Sequence, residues 1–110
     1  IKKFKTIIVP GVFEVPVVIS RNINSFDGFL ALGCVIKGKT AHFDLISKTT
    51  TNAIMNLSTD HKKPIGHGII ACQNKKQAEE RSDPKIKNKG GETARAVLSV
   101  LGIKLKWKEF

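Results

Sequence analysis

The residues with the clearest chemical potential lie between Lys37 and His42. Gly38 permits a tight turn into a helix, whose first N–H groups, together with the Lys39 ammonium and the Thr40 hydroxyl, could hold an anion such as phosphate. His42 would lie in the first turn of that helix, where the helix dipole favours a neutral imidazole that accepts a proton. Ordinary capping by Thr40 and a surface histidine explain the same pattern, so the segment alone leaves both interpretations open.

Two other segments carry charge at positions where a ligand could bind. Glu14 follows a Pro-Gly turn, and its carboxylate would either complement a helix dipole or bind the hydroxyls of a polyol. Four cations fall within nine residues, at Arg81, Lys85, Lys87 and Lys89. They form either a solvated loop or a clamp on phosphate, in which arginine could bind two oxygens.

Several common kinds of site are not supported by the spacing. The Gly-Lys-Thr sequence lacks the upstream glycine of a Walker A loop, and no serine lies in a Gly-x-Ser-x-Gly elbow. The three histidines, His42, His61 and His67, have no ligand spacing with one another or with the cysteines. We therefore expect neither a metal site nor a serine nucleophile.

The composition indicates one globular domain spanning residues 1–110, with a basic tail at 103–110. The 110 residues include 19 Lys and Arg against 9 Asp and Glu, a net charge of +10, and 41% are hydrophobic. This charge suits nucleic acid, an acidic membrane or anionic small substrates. The six Phe lie mostly in apolar runs, which disfavours a platform for single strands. No apolar run approaches the roughly 20 residues of a membrane span.

The hydrophobic pattern predicts alternating strands and helices, hence an α/β fold with a parallel sheet covered by helices on both faces. The predicted strands are Lys5–Val9, Phe29–Ile36 and Ile65–Ala71. The predicted helices begin near Val15, at the Thr40 cap, at the Asn74 cap and near Ala94, and Gly102 ends the last one. Cys34 and Cys72 fall in apolar stretches and are predicted to be buried free thiols in a reducing compartment.

Three motifs in the same order resemble the lumazine synthase (6,7-dimethyl-8-ribityllumazine synthase) family. They are Val9-Pro10-Gly11-Val12-Phe13-Glu14-Val15-Pro16, the segment from Ala31 to Asp44 that contains Gly38-Lys39-Thr40-Ala41-His42, and Glu80-Arg81 with Asn88-Lys89-Gly90. The resemblance implies a three-layer, flavodoxin-like sandwich. It also implies condensation of 5-amino-6-(D-ribitylamino)uracil with L-3,4-dihydroxy-2-butanone 4-phosphate in riboflavin biosynthesis, without a metal or organic cofactor.

The resemblance also implies roles for individual residues. His42 would be the proton donor and acceptor. The ribitylaminouracil would be bound by Val12, Phe13, Glu14, Cys34, Val35, Ile36 and His67. The butanone phosphate would be held by Lys39, Thr40 and Arg81, with Lys89 and Glu92 in support. Arg81 would come from an adjacent subunit of a cytoplasmic homo-oligomer, either a pentamer, a decamer or a 60-subunit icosahedral shell that could associate with riboflavin synthase.

Two features depart from the family pattern. Lys37 stands where arginine is common, and His67 stands where phenylalanine is common. The family's first strand and helix are missing before Ile1, so a targeting peptide is not excluded, and a polypeptide that began at this residue would be a defective enzyme. The alternatives are a basic flavodoxin-like module that binds nucleic acid and a catalytically weak, shell-forming homologue.

Overall fold

The computed structural model describes residues 3–37 and 42–102, without the side chains of residues 42 and 43. A 3₁₀ turn over Val12–Glu14 leads into helix α1 (Val15–Arg21). The remaining elements in chain order are β1 (Phe29–Ile36), α2 (His42–His61), β2 (Ile65–Cys72), α3 (Lys75–Ser82) and α4 (Lys89–Val100). The α/β class predicted from the sequence is confirmed.

The two strands pair in parallel along their whole length. The register runs from Phe29 opposite Ile65 to Ile36 opposite Cys72. The Lys37 N–H donates to the Cys72 carbonyl at 2.8 Å, which extends the ladder one residue past the end of β1. Both strands therefore end together, and their carboxyl ends form one edge, where ligands commonly bind in parallel sheets.

The predicted strand at Lys5–Val9 is wrong. Within the described part of the chain, residues 3–9 form no strand, and the sheet has two strands. Ile8 is 91% exposed, whereas Val9 packs against the core. A β-branched run favours extended backbone, but a strand forms only where another strand accepts its hydrogen bonds.

The hydrophobic core lies on one face of the sheet, beneath α1 and α2. Ala31 of β1 and Ile69 of β2 contribute the sheet side of this core, and Ile54 of α2 packs onto them with 2% of its surface exposed. Helix α1 and the turn after it add Val15, Ile19 and Ile23. The sequence stripe predicted this helix, although it ends at Arg21 and Ile23 lies in the following turn.

Helices α3 and α4 pack on the opposite face, mainly against β2. A Cβ atom at Gly66 would lie 2.5 Å from Thr93 Cγ2 and 2.8 Å from Val97 Cγ2, so this glycine lets α4 approach the strand closely. On β1 the same face is left open. Leu32 and Ile36 are 54% and 46% exposed, so the prediction that this strand is buried on both faces is wrong for that side.

The ends of α3 and α4 are fixed by side-chain caps. Asn74 Oδ1 accepts from the Gln77 N–H at 2.9 Å, as the spacing predicts, and Gln77 Oε1 accepts in return from the Gln73 N–H at 2.8 Å. Asn88 caps α4 from a left-handed conformation, with φ of 46°. Gly102 has φ of 73°, which confirms it as the stop after α4.

Candidate functional site

The carboxyl edge of the sheet brings together the ends of β1 and β2. Val35 is half-buried and packs against the core, whereas Ile36 is exposed, so successive residues at the end of β1 point to opposite faces. Because Ile36 and Cys72 are paired in register, any group at the end of one strand lies beside the end of the other. The candidate site lies along this carboxyl edge.

The 3₁₀ turn at Val12–Glu14 places the first predicted motif against β1. Val12 Cγ2 lies 3.0 Å from the position that a Cβ would take on Gly33, so the turn packs directly on the middle of β1. Phe13 is 61% exposed, and its ring is available to a ligand or a neighbouring chain. Glu14 is half-buried and precedes α1, but its side chain makes no capping hydrogen bond there.

Arg81 is anchored at the same edge by the end of β2. Its Nη1 donates to the Ala71 carbonyl at 2.8 Å and lies 3.8 Å from Cys72 Sγ. Within residues 3–37 and 42–102, no acidic side chain pairs with this guanidinium. An arginine with one nitrogen fixed to the backbone keeps its other N–H groups for an anion such as phosphate.

Cys34 occupies the α3 and α4 side of β1, and its predicted burial is wrong. The residue is exposed, while Cys72 is buried as predicted, and both are free thiols. Local desolvation, followed by the influence of the Cys72 thiol, raises the pKa of the Cys34 thiol, and the Arg81 charge opposes this rise. The apolar run around Cys34 did not indicate this exposure, because the exposure depends on where α4 packs over the sheet.

His67 does not lie at the carboxyl edge of its own chain. It stands five residues before Cys72 in β2, about 16 Å along the strand at roughly 3.3 Å per residue. Its imidazole is exposed, and Nε2 lies 3.0 Å from Thr51 Oγ1 of α2. The sequence gave no indication of Thr51 as a partner, because the contact depends on how α2 packs across the sheet.

The start of α4 carries the two supporting residues. Lys89 Nζ and Glu92 Oε2 form an ion pair at 3.5 Å on the surface of the first turn. Thr93, one turn further, packs against the glycines of β2, so Lys89 lies towards the carboxyl edge. A side chain at Gly91 would collide with the Asn88 amide, which explains the need for a small residue after this cap.

Part of the predicted phosphate site lies outside the described residues. This applies to Lys39 and Thr40, while His42 is described only as the first residue of α2. The start of α2 follows the end of β1 after a short connection, so the backbone of His42 belongs to the carboxyl side of the sheet. The position of its imidazole stays a prediction.

Other candidate sites are less well supported. A cavity of about 410 Å³ lies at the opposite edge, near the start of β2, between Ser58, Lys62 and Val100. It contains none of the predicted site residues. Over residues 3–37 and 42–102, no group of three or more His, Cys, Asp or Glu side chains could hold a metal ion. No helix in the same ranges is both long and apolar enough to cross a membrane.

Comparison with known proteins shows the family to which the chain belongs. A family model described as 6,7-dimethyl-8-ribityllumazine synthase matches residues 1–104. The chain belongs to this family. A 6,7-dimethyl-8-ribityllumazine synthase from Bartonella tribocorum is 41% identical over 104 residues, which cover 92% of this chain and 69% of the relative.

Other members of the lumazine synthase family show similar identity. A protein from Rhodopseudomonas palustris named 6,7-dimethyl-8-ribityllumazine synthase 1 is 42% identical over 87% of this chain. The protein of the same family from Buchnera aphidicola is 40% identical over 98% of this chain. The chain spans 63% and 69% of the lengths of these two relatives. The parallel sheet with helices on both faces agrees with the flavodoxin-like fold expected for this family.

Proposed function

We propose that this chain catalyses the condensation of 5-amino-6-(D-ribitylamino)uracil with L-3,4-dihydroxy-2-butanone 4-phosphate. The products are 6,7-dimethyl-8-ribityllumazine, inorganic phosphate and water. Family membership supports this proposal, and the observation that carries it is Arg81, which is anchored on the Ala71 carbonyl beside the paired ends of β1 and β2. A guanidinium held at a strand edge is suited to bind the phosphate of one substrate.

The chemistry needs positioning and proton transfer more than activated groups. The amine of the pyrimidine is already a nucleophile, and phosphate is a competent leaving group. Binding both substrates side by side converts their encounter into a reaction within one complex. In the proposed site, Val12–Glu14 and Cys34–Ile36 bind the pyrimidine and its ribityl chain. Lys39 and Thr40 of the same chain bind the phosphate together with Arg81 of an adjacent subunit.

His42 moves the protons in this proposal. Formation of the imine and loss of phosphate both require a proton to be taken up or released near the bond that changes. The position of His42 at the start of α2 favours a neutral imidazole, which can accept a proton from the amine and return it later. Lys89 and Glu92, paired on the first turn of α4, support the charged side of the pocket.

We also propose that the site is completed between subunits of a cytoplasmic homo-oligomer, with a pentamer as the basic ring. His67 supports this proposal, because on its own chain it is about 16 Å along the strand from the carboxyl edge of the sheet. An exposed imidazole at that position is suited to contact a pyrimidine bound by a neighbouring chain. Larger shells and an association with riboflavin synthase are extensions of the same proposal.

The test is the formation of lumazine from the two substrates, followed by its absorbance. We expect His42→Ala to lower kcat by about 10²–10⁴-fold while substrate binding is retained, as for loss of a general acid–base group. His61→Ala is the matched control, because His61 ends the same helix, about 28 Å away at 1.5 Å per residue. Unchanged turnover in His42→Ala would remove the role of His42. Absence of product from the unaltered chain would contradict the proposed function.

A further inference from the structure

Thr51 of α2 and His67 of β2 form a contact to which the proposed reaction gives no role. Thr51 Oγ1 lies 3.0 Å from His67 Nε2, and both side chains are exposed where α2 crosses β2. The second ring nitrogen, Nδ1, has no hydrogen-bond partner within residues 3–37 and 42–102. One nitrogen of this imidazole is therefore tied to the protein, and the other is left for a ligand.

Both sides of this contact are attached to well-supported backbone. His67 lies within the parallel ladder, opposite Ala31 of β1. Thr51 lies in the middle of α2, where a β-branched side chain has few rotamers. Ile69, two residues after His67 on the same face of β2, belongs to the core beneath α2, so packing fixes the spacing between helix and strand. The contact therefore holds the imidazole in one orientation.

The Thr51 hydroxyl differs from those of two other helical threonines. Thr59 of the same helix donates to the Met55 carbonyl at 3.1 Å, and Thr93 of α4 donates to the carbonyl four residues before it at 2.8 Å. Both use the carbonyl one turn earlier, which is a common bond for threonine in a helix. Among the described residues, the Thr51 hydroxyl has His67 Nε2 as its only partner, so its hydrogen is available to this nitrogen.

We propose that Thr51 is a positioning residue, which donates to Nε2 and holds neutral His67 as the tautomer with its proton on Nδ1. The Nδ1–H group then donates to a ring carbonyl oxygen of the ribitylaminouracil bound by an adjacent subunit. This inference rests on the proposed function, in which His67 contacts the pyrimidine of a neighbouring site. A uracil ring carries carbonyl oxygens that accept hydrogen bonds, so a fixed donor adds a selectivity that a phenylalanine ring could not supply.

The tautomer is measured by NMR of the chain labelled with ¹⁵N at its histidines, at a pH high enough to keep the ring neutral. Long-range ¹H–¹⁵N couplings distinguish a protonated ring nitrogen from an unprotonated one, and the His67 signals are those that His67→Phe removes. We expect the proton on Nδ1 in the unaltered chain and in Thr51→Ser, and a shift of the proton towards Nε2 in Thr51→Val. A proton on Nε2 in the unaltered chain would overturn the proposal.

Binding of the ribitylaminouracil is measured by calorimetry on the protein in its own oligomeric state, without the second substrate. Thr51→Val keeps the shape of the side chain and should weaken binding by about 5-fold, because the hydrogen bond to the pyrimidine is lost or misaligned. Thr51→Ser should retain the affinity, and the KM of the butanone phosphate should not change. Thr59→Val is the matched control, because Thr59 is exposed on the same helix and its hydroxyl is bound to the Met55 carbonyl.

A double variant shows whether Thr51 acts through His67. In the His67→Phe background, Thr51→Val should cause no further loss of pyrimidine binding, because the hydroxyl has no imidazole to hold. The same loss in that background, or unchanged binding in Thr51→Val alone, would overturn the proposal. Lumazine formation by the unaltered chain tests the proposed function separately. Absence of lumazine, with the tautomer and the binding as expected, would contradict the catalysis and leave the role of Thr51 intact.

Discussion

The two faces of the sheet differ in how they are covered, although they share the same strands. On the α1 and α2 side, Ala31 is 1% exposed and Ile69 is 8% exposed, and both belong to one continuous core. On the other side, Leu32 and Ile36 of β1 are about half exposed. The first face holds the fold together, because burial of apolar surface is the main stabilising term.

The open face contributes to the site more than to stability. Helices α3 and α4 cover this face mainly over β2, where Gly66 and Gly68 allow α4 to approach and Arg81 reaches the strand end. Cys34 and Ile36 are reached from solvent on this side. A strand that is packed on one face and open on the other can fix the backbone of a site and still leave its side chains available. The predictions below test this division.

The largest effect is expected for Ile54→Ala, in the centre of the packed face. Ile54 is 2% exposed and contacts the core from α2, so its truncation leaves a cavity and should cost about 2–5 kcal/mol of unfolding free energy. Ile36→Ala is the matched control, because the same residue type is 46% exposed on the open face. We expect it to cost less than about 1 kcal/mol.

Urea denaturation at one fixed protein concentration measures both variants. A similar cost at the two positions would contradict the division between the faces. It would indicate that the open face of β1 is covered in solution by part of the chain outside the described residues or by another subunit. The comparison of the two isoleucines therefore tests the exposed state of β1 directly.

Much of this fold follows from local patterns in the sequence. The apolar run predicted β1 at its observed bounds, and the Asn74 and Gln77 spacing predicted the start of α3. Each of these signals is local, since it depends on residues within one turn or one strand. The failures concern contacts between distant elements. Within the described residues, Lys5–Val9 pairs with no strand, and β1 is only partly covered on its second face.

The candidate site shows the same limit. The resemblance to the family supplied the site residues, and the packing of α3 then placed Arg81 on the Ala71 carbonyl. No spacing rule indicated that Cys34 would be exposed, because its exposure depends on where α3 and α4 pack over the sheet. Lys39 and Thr40 lie outside the described residues, and their roles stay predictions.

A smaller effect is expected for Gly66→Ala, in the part of β2 that α4 covers. The added methyl group would lie 2.5 Å from Thr93 Cγ2, so α4 must shift, at a cost of about 1–3 kcal/mol. Gly90→Ala is the matched control, because a Cβ there meets nothing within 4 Å. We expect no loss of stability in Gly90→Ala, since alanine favours a helix. Thermal unfolding of both variants measures the difference, and equal melting temperatures would contradict the close packing of α4 on β2.

The smallest effect is a shift in the reactivity of Cys34, at the point where the open face meets the covered end of β2. Desolvation, followed by the influence of the Cys72 thiol, raises the pKa of the Cys34 thiol above its ordinary value of 9.0. Since the thiolate is the nucleophile, the rate of Cys34 alkylation by iodoacetamide should rise with a midpoint above pH 9.0 in the folded chain. Mass spectrometry of the Cys34 peptide gives this rate separately from that of Cys72. In Cys72→Ala the midpoint should move part of the way down, because the influence of the Cys72 thiol is lost and the desolvation is kept. A midpoint at or below 9.0 in the folded chain would show that Arg81, which lowers the pKa, outweighs both effects.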